Sequence, residues 1–154
     1  MNEVDFSKDA HLCSAAQTNG VFGTKLLPVE ANSADAWVWL AYDQLNVAFL
    51  ESLNVEGRLG VVLIESSAKA QRRPYHQQKL GVLLSNQRHF ALELQAMGYP
   101  VMYLINQTPY AQILSTVQSQ FGNLHCITAA ERELRNEVAH LVEGGQLIEH
   151  EHPG

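Results

Sequence analysis

The chain has 154 residues, 46% apolar and 17% charged, which is the balance of one globular domain with its own core. A net charge of −6 with neutral histidines argues against the broadly basic surface that holds DNA through its phosphates. No apolar run approaches the roughly 20 residues of a membrane helix. Two cysteines, Cys13 and Cys126, are too few for a disulfide framework, a zinc site or an iron–sulfur cluster of about four thiolates.

Met1 to Ala10 carries Glu3, Asp5 and Asp9 and has no apolar core of a secretory signal, so a cytoplasmic home is expected. Residues 1–35 read as a loose leader, with Asn19-Gly20, Gly23 and Pro28 and one short element near Val21 to Leu27. Organisation begins at Ala36. The run Ala36 to Tyr42 is apolar and aromatic, stops at Asp43 and suits a buried strand. Val47 to Leu53 is a short predicted helix, and Asn54 to Gly60 supplies a turn.

Gly60-Val61-Val62-Leu63-Ile64 is a second continuous apolar run, ending at Glu65. Gln77 to Met97 reads as one long helix whose apolar stripe takes in Leu80, Leu83, Leu84, Phe90, Ala91, Leu94 and Met97, with Gly98 behind it. Val101 to Ile105 is the third strand, Tyr110 to Phe121 a helix stopped by Gly122, and Leu124 to Thr128 a short fourth strand. Glu131 to Glu143 is a further helix with Leu134, Val138 and Leu141 on one side, and Leu147-Ile148 starts a fifth strand. The ending His152-Pro153-Gly154 looks like a cut in a loop, which favours a fragment. Strands alternating with helices predict an α/β fold, a Rossmann-like doubly wound parallel sheet of about five strands over residues 36–154.

In such a sheet ligands lie beyond the carboxyl ends of the strands. Those ends carry Asp43, Gln44 and Leu45 on the first strand, Glu65 and Ser66 on the second, and Asn106-Gln107-Thr108 on the third. Carboxylates there can accept hydrogen bonds from ribityl hydroxyls or ring N–H groups. The plainer alternative is that Asp43 caps the next helix and Glu65 is solvated. Arg72, Arg73, His76 and Lys79, with Lys69 before them and Arg88 on the long helix, form a basic stretch able to meet an anion or an acidic partner, or simply to lie in solvent. His150 and His152 alternate without a close third ligand, so no metal site is read there. The glycine-rich dinucleotide loop, the P-loop and the nucleophile elbow are all missing, which lowers the odds of a dehydrogenase, an NTPase or a hydrolase of those types.

Three blocks carry a resemblance. They are Tyr42-Asp43-Gln44-Leu45-Asn46; Val61-Val62-Leu63-Ile64-Glu65; and Tyr75-His76-Gln77-Gln78-Lys79-Leu80 followed by Arg88-His89-Phe90-Ala91, Glu93-Leu94, Gly98-Tyr99 and Val101. In this order and spacing the chain resembles the N-terminal domain of deoxyribodipyrimidine photolyase-related proteins, a bacterial branch of the photolyase–cryptochrome superfamily. It departs from the family pattern at Gln77-Gln78, where a second His or Lys is usual, and at Asn86-Gln87, where Ala-Met precedes the Arg. The resemblance implies a full-length protein that repairs ultraviolet-damaged DNA or senses light. A C-terminal helical domain would hold flavin adenine dinucleotide and an iron–sulfur cluster. The N-terminal domain would bind a ribityl-lumazine or flavin-type antenna chromophore, with Asp43, Gln44 and Glu65 in its pocket.

By the same resemblance the partner of this domain is the helical flavin domain. DNA would be reached only through that domain, and the chain alone would carry no catalytic residue. Two other readings stay open. One is an interaction module with no small ligand; the other is a small nucleotide-binding protein on the same sheet.

Overall fold

The computed structural model describes residues 14, 20–27, 29, 32–53, 55–66 and 77–151, and of 77–80 the backbone alone. Most of the expected leader, the positions Arg72, Arg73 and His76, the Lys79 side chain and the ending from His152 lie outside the described residues. In chain order the elements are α1 (Gly20–Lys25), β1 (Ala36–Trp39), α2 (Val47–Glu51), β2 (Leu59–Ser66), α3 (Gln77–Ala96), β3 (Val101–Asn106), α4 (Tyr110–Phe121), β4 (Leu124–Ile127), α5 (Arg132–Glu143) and β5 (Ile148–His150).

All five strands are parallel and stand in the order β3-β2-β1-β4-β5. The fold is therefore the doubly wound α/β sheet that the alternating pattern predicts. Side chains alternate along each strand, so each apolar run feeds two cores at once. Trp37, Trp39, Val62, Ile64, Met102 and Leu104 face α4 and α5, where Ile113, Leu114, Val117, Leu134, Val138 and Leu141 meet them. Val38, Leu40, Val61, Leu63, Val101 and Tyr103 face the other way, against Leu26, Leu50, Phe90, Ala91 and Leu94 from α1, α2 and α3. The buried stripe of α5 falls at i, i+4 and i+7, and each of its three aliphatic side chains contributes about 1.5–3 kcal/mol.

Helix ends follow the glycines. Gly98 at φ 96° and Gly122 at φ 65° adopt left-handed conformations that a side chain would resist, and they stop α3 and α4. The one departure along α3 concerns its stripe. Phe90, Ala91 and Leu94 are buried as expected, but Met97 is 56% exposed and Gln87 is buried. Gln87 precedes Phe90 by three residues and so shares its face, whereas the helix has ended before Met97 and releases it into the turn. At the β3 edge of the sheet, Ser14 makes an isolated antiparallel bridge with Leu104.

Candidate functional site

Because the strands run parallel, their carboxyl ends share one rim of the sheet. The strand order reverses between β1 and β4, and a doubly wound sheet offers its crevice at that switch point. Here the crevice is spanned by Gln44, which is buried. Its Oε1 accepts the Ala41 N–H at 3.0 Å, and its Nε2 donates to the Ile127 and Thr128 carbonyls at 3.1 and 3.2 Å. One amide thus satisfies three backbone groups and ties the end of β1 to the end of β4.

Asp43 beside it is exposed. It does not cap α2. Asn46 does so, in extended conformation, its Oδ1 accepting the Ala48 N–H at 2.9 Å, because the cap must sit directly before the first helical residue. That leaves the Asp43 carboxylate on the rim. Leu45 turns inward and packs with Leu50 and its neighbours on the α3 side of the sheet.

Period two sends Glu65 toward α3 and Ser66 toward α4. Glu65 is 7% exposed rather than solvated. Arg88 meets it as a two-pronged fork, Nε to Oε2 at 2.7 Å and Nη2 to Oε1 at 2.8 Å, and the Tyr103 hydroxyl donates to the same Oε2. Gln87 completes the group by donating to the Ile64 carbonyl at 3.0 Å and to the Tyr103 hydroxyl oxygen at 3.2 Å. Burial, and then the Glu65 charge, push the Tyr103 hydroxyl far above the usual phenol range, so it remains a donor. The hydrogen bond to Glu65 likewise raises Arg88 beyond its ordinary value. Phe22 of α1 closes the outer side, edge-on to Tyr103 at 4.8 Å and beneath the Arg88 guanidinium at 5.4 Å.

Ser66 Oγ donates to the Thr108 carbonyl at 2.7 Å. Next to it, at the end of β3, Asn106 Nδ2 and Thr108 Oγ1 are buried and have no hydrogen-bond partner among the described residues. Buried polar atoms are nearly always paired, and an unmet donor costs about 1–3 kcal/mol, so these two atoms leave unused hydrogen-bonding capacity on the rim. Tyr110 stands over the same rim. Its hydroxyl is pushed well above the phenol range by burial, then by the charges of Glu137, Glu65 and Asp43. Asp43 and Glu65 therefore act on one common hydroxyl, as neighbouring strand ends should.

Of the basic stretch, Arg88 belongs to the Glu65 group. It also borders an open groove of about 440 Å³ between α1 and α3, with Lys25, His89, Phe22, Leu84 and Leu92. Sequence reasoning named Glu65 and Arg88 separately but did not join them. Tyr103 and Gln87 were missed because each sits inside an element whose pattern accounts for it as core or surface. The detectable signal was a polar residue in phase with a buried stripe: Gln87 before Phe90, and Glu65 after Leu63.

A family model described as deoxyribodipyrimidine photo-lyase-related protein matches residues 38–152, more than half of the chain. No curated protein matches it.

Proposed function

The chain belongs to the deoxyribodipyrimidine photolyase-related protein family, and from that premise we propose that it is the antenna-chromophore and scaffold domain of a photolyase-like DNA-repair or light-sensing flavoprotein. Its ligand is a ribityl-lumazine or flavin-type chromophore. Its partner is the helical domain that holds flavin adenine dinucleotide, through which DNA is reached. The setting is cytoplasmic; no described helix is long and apolar enough to cross a membrane.

The observation that carries the reading is the pair of unpartnered buried atoms, Asn106 Nδ2 and Thr108 Oγ1, on the same rim as exposed Asp43. A ribityl chain offers hydroxyls that both donate and accept, which would satisfy an amide N–H and a threonine hydroxyl together. Asp43 would accept a further hydroxyl or a ring N–H. Gln44, Ser66 and the Glu65–Arg88 fork would hold the three strand ends in place around the guest. An iron–sulfur cluster does not fit this chain: two cysteines are half the usual donor set, and Cys126 is buried in the core. We therefore assign cluster and flavin to the helical partner domain, and no repair step to this one.

Isothermal titration of the purified chain with a ribityl-lumazine tests the assignment. Saturable binding is expected, weakened about tenfold in Asn106→Ala, the equivalent of one lost hydrogen bond of about 1.4 kcal/mol. Absence of saturable binding would remove the antenna role. The scaffold role would then stand alone, supported by the apolar groove around Phe22, Leu84 and Leu92 and by exposed Val21 and Val82 as a face for the partner domain.

A further inference from the structure

His125 of β4 and His150 of β5 meet through their rings. Nδ1 of His125 lies 2.8 Å from Nε2 of His150, the ring centroids are 5.1 Å apart, and the rings are within 28° of coplanar. So long a centroid separation beside so short a nitrogen contact means that the rings touch edge to edge, not face to face. The contact is an N–H···N hydrogen bond, and one of the two nitrogens must keep its lone pair. A neutral pair satisfies this, and so does a pair sharing one extra proton. Two imidazolium rings do not, because two N–H groups would point at each other.

The element this bond holds is slight. β5 has three residues, is the outermost strand, and is hydrogen-bonded to β4 alone in the sheet. Beyond the ladder it is fixed by Thr128, whose N–H and Oγ1 both donate to the His150 carbonyl, at 2.9 and 3.2 Å. The Thr128 carbonyl in turn receives Gln44 Nε2, and Gln44 Oε1 receives the Ala41 N–H. A continuous line of hydrogen bonds thus runs from the histidine pair to the switch point between β1 and β4.

We propose that the His125–His150 pair is a proton-released latch on β5, which sets through Thr128 and Gln44 how firmly the cleft between β1 and β4 is closed. The latch itself stands on the geometry alone; its control of ligand entry rests on the chromophore reading above. Among the described residues no carboxylate pairs with either ring to rescue a doubly charged pair. Glu149 acts on Cys126, which faces the opposite side of the sheet. Glu151 follows the strand exposed, Glu51 is the one ionisable group of α2 and is exposed, and His140 lies exposed in the last turn of α5. Burial, then the neighbouring His150, hold His125 below the ordinary histidine range.

The sign follows. In the unfolded chain both rings take up protons near the ordinary value of about 6.5, while folded His125 resists until lower pH. The latch contributes fully above about 6.5 and is lost as pH falls through the lower folded value.

Hydrogen exchange of backbone amides, read by NMR between about pH 7.5 and 5 and corrected for intrinsic rates, tests the latch without any ligand. The Thr128 amide is expected to lose protection about tenfold or more on acidification, and the Ala41 amide to follow, while amides between β2 and β3 hold. In His125→Gln, which can donate and accept but does not titrate, this dependence on pH should vanish. His150→Gln serves the same purpose should the first variant not fold. Rings that titrate independently near their ordinary value, with Thr128 protection unchanged, would overturn the latch. Thr128 opening with Ala41 unmoved would overturn its coupling to the cleft. Either failure leaves the chromophore titration untouched.

Discussion

Trp37 lies directly across from Gly60 in the β1–β2 ladder, and a Cβ built on Gly60 would come within 2.6 Å of the Trp37 ring carbons Cε3 and Cζ3. A larger residue would crowd that ring, because Trp37 is buried and also packs at a tilt against Phe121 at 5.5 Å. Gly60→Ala is therefore expected to destabilise by about 1–3 kcal/mol through overpacking, measured as a lower urea midpoint with an unchanged slope.

The Glu65–Arg88 fork is expected to fail asymmetrically. Arg88→Met leaves a buried carboxylate with Tyr103 as its remaining neutral donor, and should cost about 2–3 kcal/mol. That is below the about 3–5 kcal/mol of a wholly buried pair, since the Arg88 side chain is 37% exposed. Glu65→Gln strands a guanidinium that still reaches water, and should cost less. A double-mutant cycle in urea checks this; equal single losses would contradict it.

Gln44→Glu keeps the shape and removes both donors. A carboxylate would then face the Ile127 and Thr128 carbonyls, and a loss of about 2–4 kcal/mol is expected from two unmet acceptors beside a new charge. Gln44→Ala should cost less than Gln44→Glu, because it brings no repulsion; thermal unfolding of the two variants decides the order.

How much of this was legible in the residues can be seen at particular places. The β2 run, apolar on both faces and closed by Glu65, announced a covered parallel strand, and the i, i+4, i+7 spacing of Leu134, Val138 and Leu141 announced α5. The strand ends were legible as a set, because the fold class places them on one rim. What each polar side chain bonds to was not. Gln44 is indistinguishable in sequence from a surface glutamine, and only the strand order, which no local pattern encodes, brings Ile127 and Thr128 to its amide. Tyr103 and Arg88 reach Glu65 across separations of 38 and 23 residues, beyond any periodicity. The β4–β5 histidine contact needs the same knowledge of strand neighbours.

Cys126 should be chemically silent while the chain is folded. It is buried, and its thiol is pushed up to about 12, first by burial and then by Glu149. At pH 8 only about one molecule in ten thousand would carry the thiolate that alkylating agents attack. Peptide mapping after iodoacetamide treatment is expected to find Cys126 unmodified in buffer and modified in strong urea; rapid labelling in buffer would show that β4 opens readily.

The two tryptophans of the chain both lie on β1, the central strand, buried within a few residues of the rim. Trp39 is the last residue of β1 and its ring lies 5.6 Å from that of Tyr110, so any coloured guest at the strand ends would sit close to it. At that range indole emission transfers efficiently to an acceptor absorbing in the near ultraviolet. The fold thus comes with its own optical gauge: occupancy of the rim can be followed as quenching of intrinsic fluorescence, with no label attached.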